Sequence, residues 1–203
     1  MSFEFILMFT TTVFFVSIIP GPSMLLALSH GISFGVRRSL ISATGNAIVT
    51  LCQSIISIIG VGAILAASSD FYYILKILGG FYLFYMGVTL VINRDNKVNS
   101  VDKQNLESKD IFIQSAIITA SNPKALVFFT AILPQFIDTD GSYLKQSVIL
   151  TMICFLVAFT CFMLYAAGGE RLAYIFSNSN HKKYMSTVIG LLFMISSIFL
   201  VIN

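Results

Sequence analysis

The chain has 203 residues, 57% of them hydrophobic and 10% charged, with a mean hydropathy of +0.89. Soluble domains average about 45–50% apolar and about 25% charged residues, and one small core cannot hide this excess, so a soluble enzyme is excluded. The net charge of +3 comes from scattered residues and not from a basic face, which excludes a nucleic-acid partner.

An all-α integral membrane protein is left, and six stretches reach the ~20 apolar residues that a spanning helix needs. They run continuously without strand-like alternation, so a barrel is excluded too. Residues 4–29 form the first. It has Glu4 and no Lys or Arg before Arg37, and it is long for a signal sequence, so it is expected to remain as a span. It contains Pro20-Gly21-Pro22 followed by Ser23, and proline removes a donor and clashes with the preceding turn, so the helix should break there. Residues 40–67 form the second span. Ser42, Asn46, Thr50, Gln53 and Ser57 recur at steps of three and four, and this polar face should turn toward the bundle or a water path. The third span, residues 71–92, holds Lys76 near its outer end, within snorkelling reach of water.

Residues 93–110 are the one substantial polar linker, and they divide the chain into 1–92 and 111–203, with three spans in each. The fourth span, 111–137, is interrupted by Asn122-Pro123-Lys124, and Lys124 lies about 20 Å along it, near the middle of the bilayer. A lysine at that depth costs a few kcal/mol on insertion scales and is a functional candidate by default. Residues 144–167 form the fifth span, whose stripe of Thr151, Cys154, Ala158, Cys161 and Tyr165 suits close helix packing. Residues 184–202 form the sixth.

The connections after spans one, three and five hold nine Lys and Arg residues against one, Lys145, after spans two and four. The positive-inside rule puts the nine in the cytoplasm and both termini outside. The opening span of each half is broken by proline in a corresponding place, and freed backbone groups at membrane depth survive only where they are buried or line a wet cavity. Such a pair points to a transporter site between two inverted repeats. YILKILG at 73–79 and YMSTVIG at 184–190 share Tyr and Gly in register, in keeping with a repeat. Gly79, Gly80 and Gly87 can pack helices within a protomer or across a homodimer. His30 and His181 sit near span ends, the cysteines are scattered, and no catalytic motif, metal-ligand cluster or cofactor signature is present.

Three segments, PGPSMLLALSHGISFGVRRSL at 20–40, KILGGFYLFYMGVTL at 76–90 and NPKALVFFTAILPQF at 122–136, carry a resemblance to the LysE/RhtB family of amino-acid exporters. They cover about a third of the chain, and their order and spacing match along its length. The resemblance implies an inner-membrane exporter driven by the proton gradient, with an amino acid, protons and membrane lipid as its partners. The NPK and PQF forms look like the RhtB branch, which handles neutral substrates such as homoserine, threonine and leucine. Val49 and Thr50 depart from a Gly, sometimes followed by Asp, that family members often carry nearby, so no proton relay is carried into span two.

The expected mechanism is alternating access around a site between spans one and four. Lys124 would hold a carboxylate, Pro20, Gly21, Pro22, Ser23, Asn122 and Pro123 would offer backbone and polar partners, and Asn46 and Gln53 would line the path. Glu4, Glu170 and Lys124 are candidate proton carriers, and Lys76 is a further pathway residue. The competing readings are export of another small solute or a metal ion, and a non-transporting membrane assembly or signalling module.

Overall fold

A computed structural model describes residues 1–60, 77, 81, 84, 85, 87–89, 91, 92, 106–122, 124, 125, 128, 129, 133–137, 142–175, 184, 187, 188, 190–192, 194, 195, 197 and 198. Among the described residues the chain is helical, with no strand. Lys76 and Pro123, and most of the third span, lie outside them.

Helix α1 (Phe3–Ile18) starts where Ser2 accepts a hydrogen bond from the Phe5 amide at 3.2 Å, with Glu4 in the first turn against the positive helix end. Thr10, Thr11 and Thr12 stand in succession, and each returns its hydroxyl to the carbonyl four residues back at 2.7–2.9 Å, so none exposes an unpaired donor. The helix stops because Ile19 precedes a proline. Its Cβ and N–H cannot share the α region with the proline ring, and it adopts φ −58°, ψ 129°.

Helix α2 (Pro22–Ile58) restarts with Gly21 extended as N-cap and Pro22 in the first turn, where a missing N–H costs nothing. Its 37 residues are two helices meeting at Gly35, whose φ of 75° and ψ of 171° only glycine holds without strain. The first piece, residues 22–34, is about 20 Å long and the second, 36–58, about 35 Å. Both reach further toward Gly35 than the apolar runs ending at Ser29 and starting at Leu40. Hydropathy falls at Arg37 and Arg38, but backbone hydrogen bonding does not depend on side-chain polarity.

Helix α3 (Ser108–Ala120) is followed by a second interruption at Ser121 and Asn122, and helical backbone resumes at Lys124. A short 3-10 turn covers Leu133–Phe136, and helix α4 (Tyr143–Ile175) runs well past the apolar stretch that ends at Ala167. Among the described residues, α2 and α4 are long and apolar enough to cross a membrane, and α1 is a shorter apolar helix.

Polarity is inverted relative to a soluble protein. Ser42 and Asn46 are 0% and 2% exposed, whereas Phe15 and Leu156 are 62% and 54% exposed. Large apolar side chains cover the outside and polar ones fill the inside, the arrangement that a hydrocarbon solvent demands. The polar face foreseen on span two turns inward, with Thr50 and Ser57 also buried. Small residues let the helices close on one another. A Cβ on Gly31 would lie 2.0 Å from the Ala166 carbonyl oxygen, one on Gly169 2.3 Å from the Leu28 oxygen, and one on Gly45 2.9 Å from the Phe112 oxygen. Gly87 meets the Gly190 carbonyl in the same way, so this glycine packs within the protomer.

Candidate functional site

The two interruptions leave helix ends that side chains from distant parts of the chain close. At the end of α1, Lys124 Nζ donates to the carbonyls of Ile19 (2.7 Å) and Ser17 (3.3 Å), while the Tyr165 hydroxyl donates to that of Ile18 (2.9 Å). Three successive acceptors are thus answered by α4 and by the restart after α3. The last turn of α1 has no basic residue of its own, so Lys124 supplies the cation that the negative end of the helix favours. At the end of α3, Gln53 Nε2 makes long contacts of 3.4 Å to the carbonyls of Thr119 and Ala120. Gln53 Oε1 is buried and has no partner.

Asn122 joins the two restart points. Its side-chain oxygen accepts from the Lys124 amide at 3.2 Å, and its Nδ2 donates to Ser23 Oγ at 3.0 Å. Ser23 in turn faces the Thr119 hydroxyl at 3.5 Å, Thr119 donates to Asn46 Oδ1 at 2.8 Å, and Asn46 donates to the Ala158 carbonyl at 3.3 Å. Directed hydrogen bonds therefore run from the second interruption through the first to α4. Asn122, Ser23, Thr119 and Asn46 are all buried.

A cavity of about 50 Å³ lies along this network, with Ser17, Ser23, Asn46, Asn122 and Lys124 in its wall and Phe128 among its apolar neighbours. Among the described lining residues Lys124 is the sole charged group. The first turn of α2 also borders the cavity, and its N-cap Gly21 offers no side-chain cap, so this positive helix end is open toward a ligand.

The structure thus brings Ser23, Asn46, Asn122 and Lys124 together, with Gly21 close by: a Cβ there would be 3.8 Å from Lys124 Cε and Nζ. Pro20 and Pro22 flank the first break. Gln53 lies behind the site on the end of α3, outside the cavity's described wall. Glu4 and Glu170 are exposed, Glu4 in the first turn of α1 and Glu170 beside Gly35, and neither borders the cavity.

Sequence reading gave no role to Thr119, and it placed Tyr165 in a packing stripe. It placed His30, which is 3% exposed, near a span end with no role. His30 Nε2 donates to Gln114 Oε1 at 2.8 Å, leaving Nδ1 to accept from the Ser42 hydroxyl at 2.5 Å, so the imidazole ties both pieces of α2 to α3. A spacing of twelve signals no contact along one helix, and only the bend at Gly35 brings His30 to Ser42.

A family model described as LysE type translocator matches residues 14–203. The chain belongs to this family. As a LysE type translocator it is a membrane transporter and not an enzyme. It is similar to a leucine efflux protein of Enterobacter, 29% identical over 186 residues that cover 89% of this chain and 87% of that protein. A leucine efflux protein of Salmonella choleraesuis is 25% identical over 182 residues, 88% of this chain and 86% of its own length. A protein of Vibrio cholerae named only as an uncharacterized membrane protein is 27% identical over 178 residues, 88% and 87% of the two chains. No solved structure matches the translocator.

Asn122 and Cys154 both border the cavity, but only Asn122 joins the two breaks. Asn122→Ala is expected to slow transport about tenfold, the worth of one or two buried hydrogen bonds, and Cys154→Ala by less than about threefold. Efflux rates at matched expression check this, and equal losses would reduce Asn122 to a packing role.

Proposed function

We propose that the translocator exports neutral amino acids or close derivatives of the leucine, threonine and homoserine type across the bacterial inner membrane, by alternating access and coupled to protons. The observation that carries this reading is Lys124 lodged on the broken end of α1 inside a cavity with no described carboxylate. A cationic substrate side chain would find no counter-charge there, whereas a carboxylate has Lys124 and the open first turn of α2. Ser23 and Asn122 add hydroxyl and amide partners. The two efflux relatives have the same chemistry in their names, which supports the substrate class.

Alternating access needs the site to change size. An apolar cavity of about 150 Å³ admits benzene, and the cavity here is about a third of that, so a leucine-sized solute enters only as its walls separate. Proline-interrupted helices in corresponding places of residues 1–92 and 111–203, with 93–110 between them, suit six spans in two inverted three-helix repeats that rock about the breaks. Both termini would then face outward. Of the proton carriers considered, Lys124 alone borders the cavity.

The test is efflux of labelled amino acids from preloaded cells carrying the wild type, Lys124→Ala or an empty vector at matched membrane expression. Faster loss of neutral amino acids with the wild type only is expected. No difference across the panel would overturn the reading and return the function to another solute.

A further inference from the structure

The cation-binding end of the cavity already holds a cation that belongs to the protein. Ser17, Ile18 and Ile19 present three consecutive carbonyls at the end of α1, and two of them accept from the Lys124 ammonium. An ammonium group has three donors and no acceptor, so it suits a cluster of carbonyls at a negative helix end. The α-ammonium of an amino acid is the same chemical group. Ser17 and Lys124 both line the cavity and Ile19 lies just beyond its described wall, so a solute inside it meets the Ser17 side of the group that Lys124 covers. Lys124 is held on a flexible four-carbon stem, half-buried, and no carboxylate among the described residues of the wall fixes it in place.

We infer that Lys124 occupies the substrate's ammonium subsite and leaves it by exchange: the solute's α-ammonium takes the Ser17 and Ile19 carbonyls while Lys124 moves onto its carboxylate. This inference rests on the cavity being the substrate site. Either half of the exchange alone is unfavourable. An amine without a carboxylate would put two ammonium groups side by side and leave Lys124 without a partner. A carboxylate without an amine would draw Lys124 away and strip the carbonyls of their donor. A zwitterion restores both sets of contacts in one step. The site therefore selects for a free amine and a free carboxylate on one molecule and reads the side chain only through the apolar wall.

Calorimetric binding to the purified full-length protein in nanodiscs tests this with leucine, 3-methylbutylamine and 4-methyl-2-oxopentanoate, which share a carbon skeleton and differ in their charged groups. The wild type should bind leucine at least about tenfold more tightly than either analogue, the factor expected for one lost charged hydrogen bond. Lys124→Met should reverse the preference, binding the amine about tenfold more tightly than the wild type does, because the carbonyls are open and the competing charge is gone. Lys124→Arg keeps a cation on the carbonyls and should still reject the amine. Equal binding of amine and leucine by the wild type, or no gain of amine binding by Lys124→Met, overturns the exchange. Leucine binding by the wild type without that gain would spare the amino-acid reading and refute the exchange. Amine binding by Lys124→Met, with a wild type that binds no amino acid, would overturn the exchange and the amino-acid reading together. If Lys124→Met does not purify as a monodisperse protein, the wild-type ranking and Lys124→Arg decide the matter alone.

Discussion

A Lys124→Met variant is expected to reach the membrane at the wild-type level and to export at least about tenfold more slowly. Hydrogen bonds to a charged group contribute about 1.5–3 kcal/mol each, and loss of one such contact to a substrate carboxylate lowers a rate by about tenfold to a hundredfold. The fold should survive. Tyr165 still answers the Ile18 carbonyl, and the Asn122 contacts to Ser23 and to the backbone amide of residue 124 do not use the lysine side chain. Lys124→Arg separates charge from shape, because it keeps a cation on the α1 carbonyls but lacks the compact ammonium, and partial activity is expected. Efflux of a labelled neutral amino acid, normalised to protein in the membrane, is the measurement. Near-normal export by Lys124→Met would remove the lysine from the site.

A large loss of stability is expected from adding a single methyl group to Gly169. Its Cβ would lie 2.3 Å from the Leu28 carbonyl oxygen and 3.1 Å from the Ile32 nitrogen, and Gly31 on the facing helix meets the Ala166 carbonyl at 2.0 Å. These neighbours are backbone and cannot rotate away, so α2 and α4 must separate. Ordinary overpacking costs about 1–3 kcal/mol, and a clash with backbone belongs at the top of that range or above it. Gly169→Ala should lower the unfolding midpoint in detergent by about 6–12 °C. Gly168→Ala is the control. A Cβ there meets nothing within 4 Å, and replacing a helical glycine gains up to about 1 kcal/mol in propensity, so its midpoint should hold or rise. Similar losses in both variants would mean that α2 and α4 do not cross at Gly31 and Gly169.

The breaks were legible in the sequence because proline acts locally. Ile19 is extended because Pro20 follows it, and Gly21 caps a helix that starts with Pro22, all within four consecutive letters. The inward polar face of Ser42, Asn46 and Thr50 was legible for a similar reason, since one helix fixes which residues share a side. What closes the breaks was not legible. The partners of Lys124 are backbone carbonyls, which every residue has and no letter marks, and they lie 105 and 107 residues away. Tyr165 looked like one more member of a small-residue stripe until its hydroxyl was placed on Ile18. The span limits near Ser29 and Leu40 fell short because hydropathy records where lipid ends, whereas the helix continues to the bend at Gly35.

The distant closing of the first break also sets a timetable for synthesis. The α1 carbonyls are made early, but Lys124 follows Ile19 by 105 residues and Tyr165 follows Ile18 by 147. At about 5–20 residues per second, the first half of the chain waits roughly 5–30 s before its own helix end can be covered. During that interval the exposed carbonyls need water or the insertion machinery as a stand-in, because hydrocarbon provides no donor. Insertion of α1 and α2 is therefore provisional, and it becomes permanent only when Lys124 and Tyr165 arrive.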